Sequence, residues 1–294
     1  MHAIPLLVTA LRLTCWPFEV EGQGDGAPPP ALASPAPAAA PPLTPVAPRA
    51  PVPPSLPRDE SVRYDVRYGL LGSIGDLVVS AGSVAYPPAG SPVVTVRGTG
   101  RGEVLGLGGM ERRIESEFDV RALGSRRWTE ARRKSGQRVE DETVDVGERS
   151  EQGENRVHRR MPGKPDETQT FMSAVPTSDF LGLIWRLRTA PPSLGQADVA
   201  RVLDGLALWE VRATTVSADD PVPEREGIRA LRVEGQLTPI YYDGGADARR
   251  SRRSFTMWLD PRTSHVPLRL EIPMEPGDVV LDLVEARRAV AANE

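Results

Sequence analysis

The residue types that carry most metal, redox and ring-stacking chemistry are scarce in this chain of 294 residues, which has one cysteine, three histidines and five each of tryptophan, tyrosine and phenylalanine. The lone Cys15 excludes a disulfide framework and a four-thiolate metal site. His2, His158 and His265 lie far apart, outside any HExxH pattern, so a metal set drawn from His158, His265 and carboxylates has no spacing behind it. Excess positive charge is missing too. Lysine plus arginine number 36 against 40 acids, a net charge of -4, and this removes the electrostatic argument for a nucleic-acid binder. There is no GxSxG elbow for a serine hydrolase. The apolar run Ala3 to Leu11 is too short to span a bilayer.

What is abundant is proline, and it is unevenly spread. Of 30 prolines, 13 fall between Pro28 and Pro57. In that stretch nearly every other residue forbids a helix or a ladder hydrogen bond, so residues 27–57 read as a disordered, polyproline-leaning tether. Extended at about 3.1 Å per residue, it would reach on the order of 90 Å from an anchor. Residues 1–26 have the length of a signal or lipoprotein leader. Cys15 is the candidate lipidation site, although Arg12, Leu13 and Thr14 before it match a lipobox poorly. The competing readings are an accidental apolar N-terminus and compositional drift toward alanine and proline.

From residue 58 to 294, alternation dominates. Val62, Tyr64, Val66 and Tyr68 share one face, with Arg63, Asp65 and Arg67 on the other. The pattern recurs at Ile114 to Val120, Ala207 to Thr214, Val266 to Ile272 and Val279 to Val284. Further strands are expected within 77–86, 93–97, 126–132, 138–146, 228–237 and 254–259, about eleven in all. One polar face per strand indicates an antiparallel sheet. The one helix starts at Ser178 or Asp179, carries Phe180, Leu183, Ile184 and Leu187 on a stripe, and ends at Pro191 and Pro192. The fold class is therefore all-β and mainly antiparallel. It is a single domain over 58–294, a wide curved sheet or open barrel with one short helix packed on the concave face.

Few motifs point to chemistry. Gly98, Gly100, Gly102, Gly106, Gly108 and Gly109 lack the lysine and helix of a phosphate loop and read as a flexible hairpin loop. Arg249, Arg250, Arg252 and Arg253 form the densest basic run, read as a solvated hairpin tip or, less simply, as a patch for an anionic surface. Trp258 alternates away from the apolar Phe255, Met257 and Leu259, so it is either covered on the outer face or exposed for a ligand. Trp185, off the helix stripe, faces the same choice. Trp185 and Trp258 are the candidate ligand-face residues.

Three segments together resemble a known family. They are Tyr64-Asp65-Val66-Arg67-Tyr68-Gly69-Leu70-Leu71-Gly72, the capped helix running into Leu187-Arg188 with Gly195 beyond, and Trp258-Leu259-Asp260 followed by Val266-Pro267-Leu268. The family is the exported bacterial proteins of domain of unknown function 3108, and the resemblance covers roughly Ser61 to Arg287. It implies an envelope-located, mainly antiparallel β protein, exported to the periplasm or associated with the outer membrane. It supplies no catalytic residue and no cofactor.

Two function classes follow. The first is a non-enzymatic envelope protein whose curved sheet holds a lipid or other apolar ligand beneath the helix. The second is a tethered scaffold that pairs a sheet edge or the arginine run with an envelope protein. A glycan-active enzyme with paired carboxylates is a third, less supported reading. No nucleic-acid partner is expected, and membrane contact is expected only through an N-terminal anchor, if the chain carries one. A concave cavity of several hundred Å³ favours the carrier, and a filled concave face favours the scaffold.

Overall fold

A computed structural model describes residues 59–86, 91–104, 108–134, 137–146, 153–274 and 277–288. The leader, Cys15 and the tether lie outside the described residues. The first eight strands are β1 (Glu60–Tyr68), β2 (Ser73–Ala85), β3 (Val93–Val104), β4 (Gly108–Asp119), β5 (Gly124–Lys134), β6 (Gln137–Val146), β7 (Glu154–Arg160) and β8 (Glu167–Met172). A short β9 (Thr177–Ser178) leads into helix α1 (Phe180–Thr189). Then follow β10 (Ala197–Asp204), β11 (Ala207–Pro221), β12 (Arg229–Ile240), β13 (Arg253–Leu259), β14 (Pro267–Ile272) and β15 (Val279–Arg288).

All fifteen strands belong to one sheet in the order β8-β7-β6-β5-β4-β3-β2-β1-β15-β14-β13-β12-β11-β10-β9. Two meanders grow outward from the β1–β15 pair, and every pairing is antiparallel except β9 with β10. The sheet does not close into a barrel. It curls until side chains of β5 to β8 meet those of β10 to β12, where Trp128, Val144, Val157 and Phe171 pack with Leu203, Leu208 and Ile240. That contact needs no ladder, because apolar burial is non-directional.

Period-two patterning produced the expected faces. Val62, Tyr64, Val66 and Tyr68 are all buried on the concave side of β1. The expected count of eleven strands is too low, because β7, β8, β9 and β10 escape notice. β7 (ENRVHRR) and β8 (ETQTFM) bury few apolar side chains, chiefly Val157 and Phe171, and charge or threonine fills most of the rest. The expected glycine loop is also corrected, since Gly98, Gly100 and Gly102 lie inside β3. A Cβ on Gly98 would stand 3.1 Å from Leu181 Cδ1 of α1, so the missing side chain lets the helix approach the sheet. Residues 105–107 of that cluster are outside the described residues.

In the β13–β14 ladder the register shifts between Trp258 and Leu259, which leaves Leu268 as the extra residue and breaks the expected alternation in β14. Leu270 packs in the concave core, whereas Leu268 packs with Trp258 on the convex face. The bulge adds one residue to one strand and so exchanges the faces beyond it.

Candidate functional site

Helix α1 fills the concave face. Asp179 is its N-cap, and Oδ1 accepts the backbone N–H groups of Leu181 at 2.7 Å and Gly182 at 3.1 Å. Its other oxygen accepts the hydroxyls of Ser125 at 2.7 Å and Ser116 at 2.5 Å, which fastens the cap to β4 and β5. Leu183 and Leu187 enter the core formed by β1 and β10 to β15, as the stripe requires. Leu181 and Trp185 enter a second core with Val94, Val96 and Phe118. A helix wrapped by a sheet buries both sides.

Two arginines pin the end of α1. Arg186 grips Asp198 with Nε at 2.8 Å and Nη2 at 2.7 Å, a bidentate pair. Arg188 pairs with Glu60 of β1, each side chain 2 % exposed, and its guanidinium lies 4.9 Å from the Trp185 ring centroid. Burial in the same region pushes the Tyr64 hydroxyl well above its usual range, with Arg188 pulling it down and Glu60 pushing it up.

Between α1 and strands β1 to β3 and β13 to β15 there remains a cavity of about 30 Å³, bordered by Trp185, Tyr64, Arg188 and aliphatic side chains. This is room for a single water molecule. A larger depression of about 550 Å³ crosses β3 to β6, where Thr99, Thr129, Ala131 and Thr143 lie among Arg97, Arg101, Arg113, Glu115 and Asp141. Arg97 Nε donates to Glu115 there at 2.6 Å.

The sequence-derived candidates are scattered. Trp185 is 2 % exposed and borders the small cavity. Trp258 is 5 % exposed on the opposite face of the sheet, beneath Val222 and Ile228 of the β11–β12 connection, with Nε1 donating to Asp220 at 3.0 Å. The structure does not bring the two indoles together. In the arginine run, buried Asp247 accepts Arg249 Nε at 3.0 Å and Arg250 Nε at 2.9 Å. Hydrogen bonding from Arg249 holds the Asp247 carboxyl far below the usual carboxylate range. Arg250 also stacks 5.0 Å from the Trp209 ring centroid, so these two charges serve the hairpin itself. His158 contacts Thr168 Oγ1 at 2.9 Å and Asp166 at 3.3 Å, and no cluster of three metal-capable side chains occurs among the described residues.

One ionic cluster was not visible in the sequence. Glu130 accepts Arg112 Nη2 at 2.5 Å and also pairs with Arg132, and Glu142 accepts Arg159 Nε at 2.9 Å. Asp204, at the β10–β11 turn, faces Arg112, Glu130, Arg132 and Glu142 from across the fold. A Cβ on Gly205 would stand 3.1 Å from Glu142 Oε1, which measures how closely the turn approaches. Burial raises the Asp204 carboxyl to about 6. Burial likewise raises Glu142 despite Arg159, while at Glu130 the attraction of Arg112 and Arg132 outweighs burial and lowers it. Glu130 and Glu142 are cross-strand partners, and only the register of β5 and β6 brings them together.

A family model described as "Protein of unknown function (DUF3108)" matches residues 63–284. The chain belongs to the DUF3108 family. Among solved structures, this DUF3108 domain is similar to a beta-barrel-like protein of domain of unknown function DUF1849 from Brucella abortus. The TM-score is 0.51 at 10% identity, over 80% of this chain and 99% of that one. At such identity the likeness shows the fold alone. LprF from Mycobacterium bovis matches with a TM-score of 0.27 at 15% identity, over 80% of this chain and 89% of that one. No curated protein matches. Among the described residues, no helix is long and apolar enough to cross a membrane.

Proposed function

We propose that the DUF3108 domain is a non-enzymatic scaffold of the bacterial cell envelope, an interaction module that works through its exterior. The observation that carries this reading is the filled concave face, because about 30 Å³ remains beneath α1. An acyl chain needs a site of several hundred Å³. The plug is also fastened at both ends, by Asp179 to Ser116 and Ser125 and by Arg186 and Arg188 to Asp198 and Glu60. The acids brought together inside the sheet, Glu130 and Glu142, are held by arginines, which suits a structural role rather than glycan hydrolysis. Placement in the envelope rests on the leader-like residues 1–26 and the tether at 27–57, and mass spectrometry of the mature N-terminus tests it.

A lipid carrier is the second reading. In its favour, the residual cavity is walled mainly by aliphatic and aromatic side chains, so a displaced α1 would uncover a greasy surface. Native mass spectrometry of the full chain separates the two. The scaffold reading expects the bare polypeptide mass and tryptophan fluorescence that ignores added fatty acid. Copurifying lipid, or a saturable fluorescence change, would overturn it in favour of the carrier.

A further inference from the structure

The sheet has two edges, and they are built differently. At one, β9 has two residues, both buried, and the chain directly after it touches β5 through Asp179 N and Ser125 Oγ at 3.3 Å. That edge is short and covered. At the other, β8 is exposed at every residue except Phe171, and among the described residues no strand pairs with its outer side. Natural edges are blunted by proline, lysine, bulges or covering loops. β8 (ETQTFM) contains no proline or lysine, and its ladder with β7 runs without a register shift.

The direction of its free hydrogen-bonding groups follows from one contact. Ser173 N donates to Gly153 O at 2.9 Å, which makes Gly153 and Ser173 a bonded pair. Alternation along an antiparallel ladder then turns Glu167, Gln169 and Phe171 toward β7. Thr168, Thr170 and Met172 present their N–H and C=O groups to the open side, with Met172 60% exposed.

We propose that β8 pairs antiparallel with β8 of a second copy of this chain, about a two-fold axis at Thr170. This inference rests on the exterior-acting scaffold reading and names the surface it uses. In that register Thr168 faces Met172 of the second copy, Gln169 faces Phe171 and Glu167 faces Ser173, so no like charges oppose. The pairing supplies about six new backbone hydrogen bonds. Centring on Thr168 would set Phe171 and Met172 opposite Pro165 and Lys164, which lie outside β8, and centring on Met172 would run the ladder into the 173–176 connection. Since β9 is covered, pairing through β8 is isologous and closes at a dimer instead of growing into a fibre.

Sedimentation velocity of the full chain from about 10 µM to about 1 mM covers the range in which a strand-sized contact associates. The expected result is a concentration-dependent dimer that Thr170→Pro weakens at least about tenfold, with an unchanged far-ultraviolet spectrum, because the lost N–H faces outward and the β7 ladder keeps its bonds. A wild-type monomer throughout, or a dimer that ignores Thr170→Pro, overturns the proposal. Cysteines check the register independently, and decide the matter if the proline variant does not fold. In a Cys15→Ser background, Thr170→Cys should crosslink to its own copy under mild oxidation and Thr168→Cys should not. Failure of the first or success of the second refutes the axis, as does a monomer whose β8 takes up an extended segment of another protein. A lipid-free monomer would end this proposal and leave the scaffold reading standing, whereas a lipid-laden dimer would do the reverse.

Discussion

Asp179 satisfies four donors with one carboxylate, two from the first turn of α1 and two serine hydroxyls from the sheet. Asp179→Ala strands all of them in a buried site and should cost about 2–3 kcal/mol in urea unfolding, more than a surface cap would. Asp179→Asn keeps the acceptor at the helix and should recover at least half of that, and equal losses in the two variants would refute the shared role. Arg188 and Glu60 behave differently, because each is the other's charge partner and both side chains are buried. Arg188→Leu should destabilise by about 3–5 kcal/mol, whereas the double variant with Glu60→Leu should lie closer to wild type than the single one. Additive losses in that cycle would show the pair to be uncoupled. Neither partner was legible beforehand, since Glu60 and Arg188 are 128 residues apart and each has the composition of a surface side chain.

Among the elements, α1 was read with the right length, cap and stripe. Its second buried side, Leu181 and Trp185, was not, because amphipathic periodicity assumes that one side of a helix stays wet. The sheet of β2 to β4 wraps that side, and Gly98 gives it room. Gly98→Val should therefore crowd Leu181 and cost about 1–3 kcal/mol, and Leu181→Ala in the same chain should relieve part of the loss. Thermal unfolding of the two singles and the double measures the coupling, and strict additivity would place the glycine's role elsewhere. The strands that were found share a trait with α1, a run of apolar residues at the right period. β7 and β8 lack it because these two strands, at one end of the sheet, touch the core at so few points.

At the scale of the whole molecule, no ladder among the described residues joins the wing of β5 to β8 to the wing of β10 to β12. Apolar contact and the Arg112, Glu130, Arg132, Glu142, Arg159 and Asp204 cluster hold that seam. Asp204 makes the seam sensitive to pH. Its folded value of about 6 lies above the usual 3.8. Its support for the fold is therefore complete below about pH 3.8 and is withdrawn as pH rises through about 6. Asp204→Asn should be more stable than wild type at pH 7.5, by on the order of 1 kcal/mol once solvent screening is allowed for, with the gap closing toward pH 4. Denaturant melts at four or five pH values test this, and a gap independent of pH would remove Asp204 from the seam.

Fold class and the helix were readable from the chain because they depend on which face of a strand or helix is apolar, and that is written in neighbouring residues; the family was readable from three short motifs that stand in the chain as they are. Closure of the seam, the burial of Arg188 against Glu60 and the nearly full cavity were not. Each depends on how far a fifteen-stranded sheet curls and on registers and bulges between strands distant in sequence, such as the shift at Trp258 that turns Leu268 outward. Local patterning sets which side chains leave water, and long-range packing alone sets which of them meet.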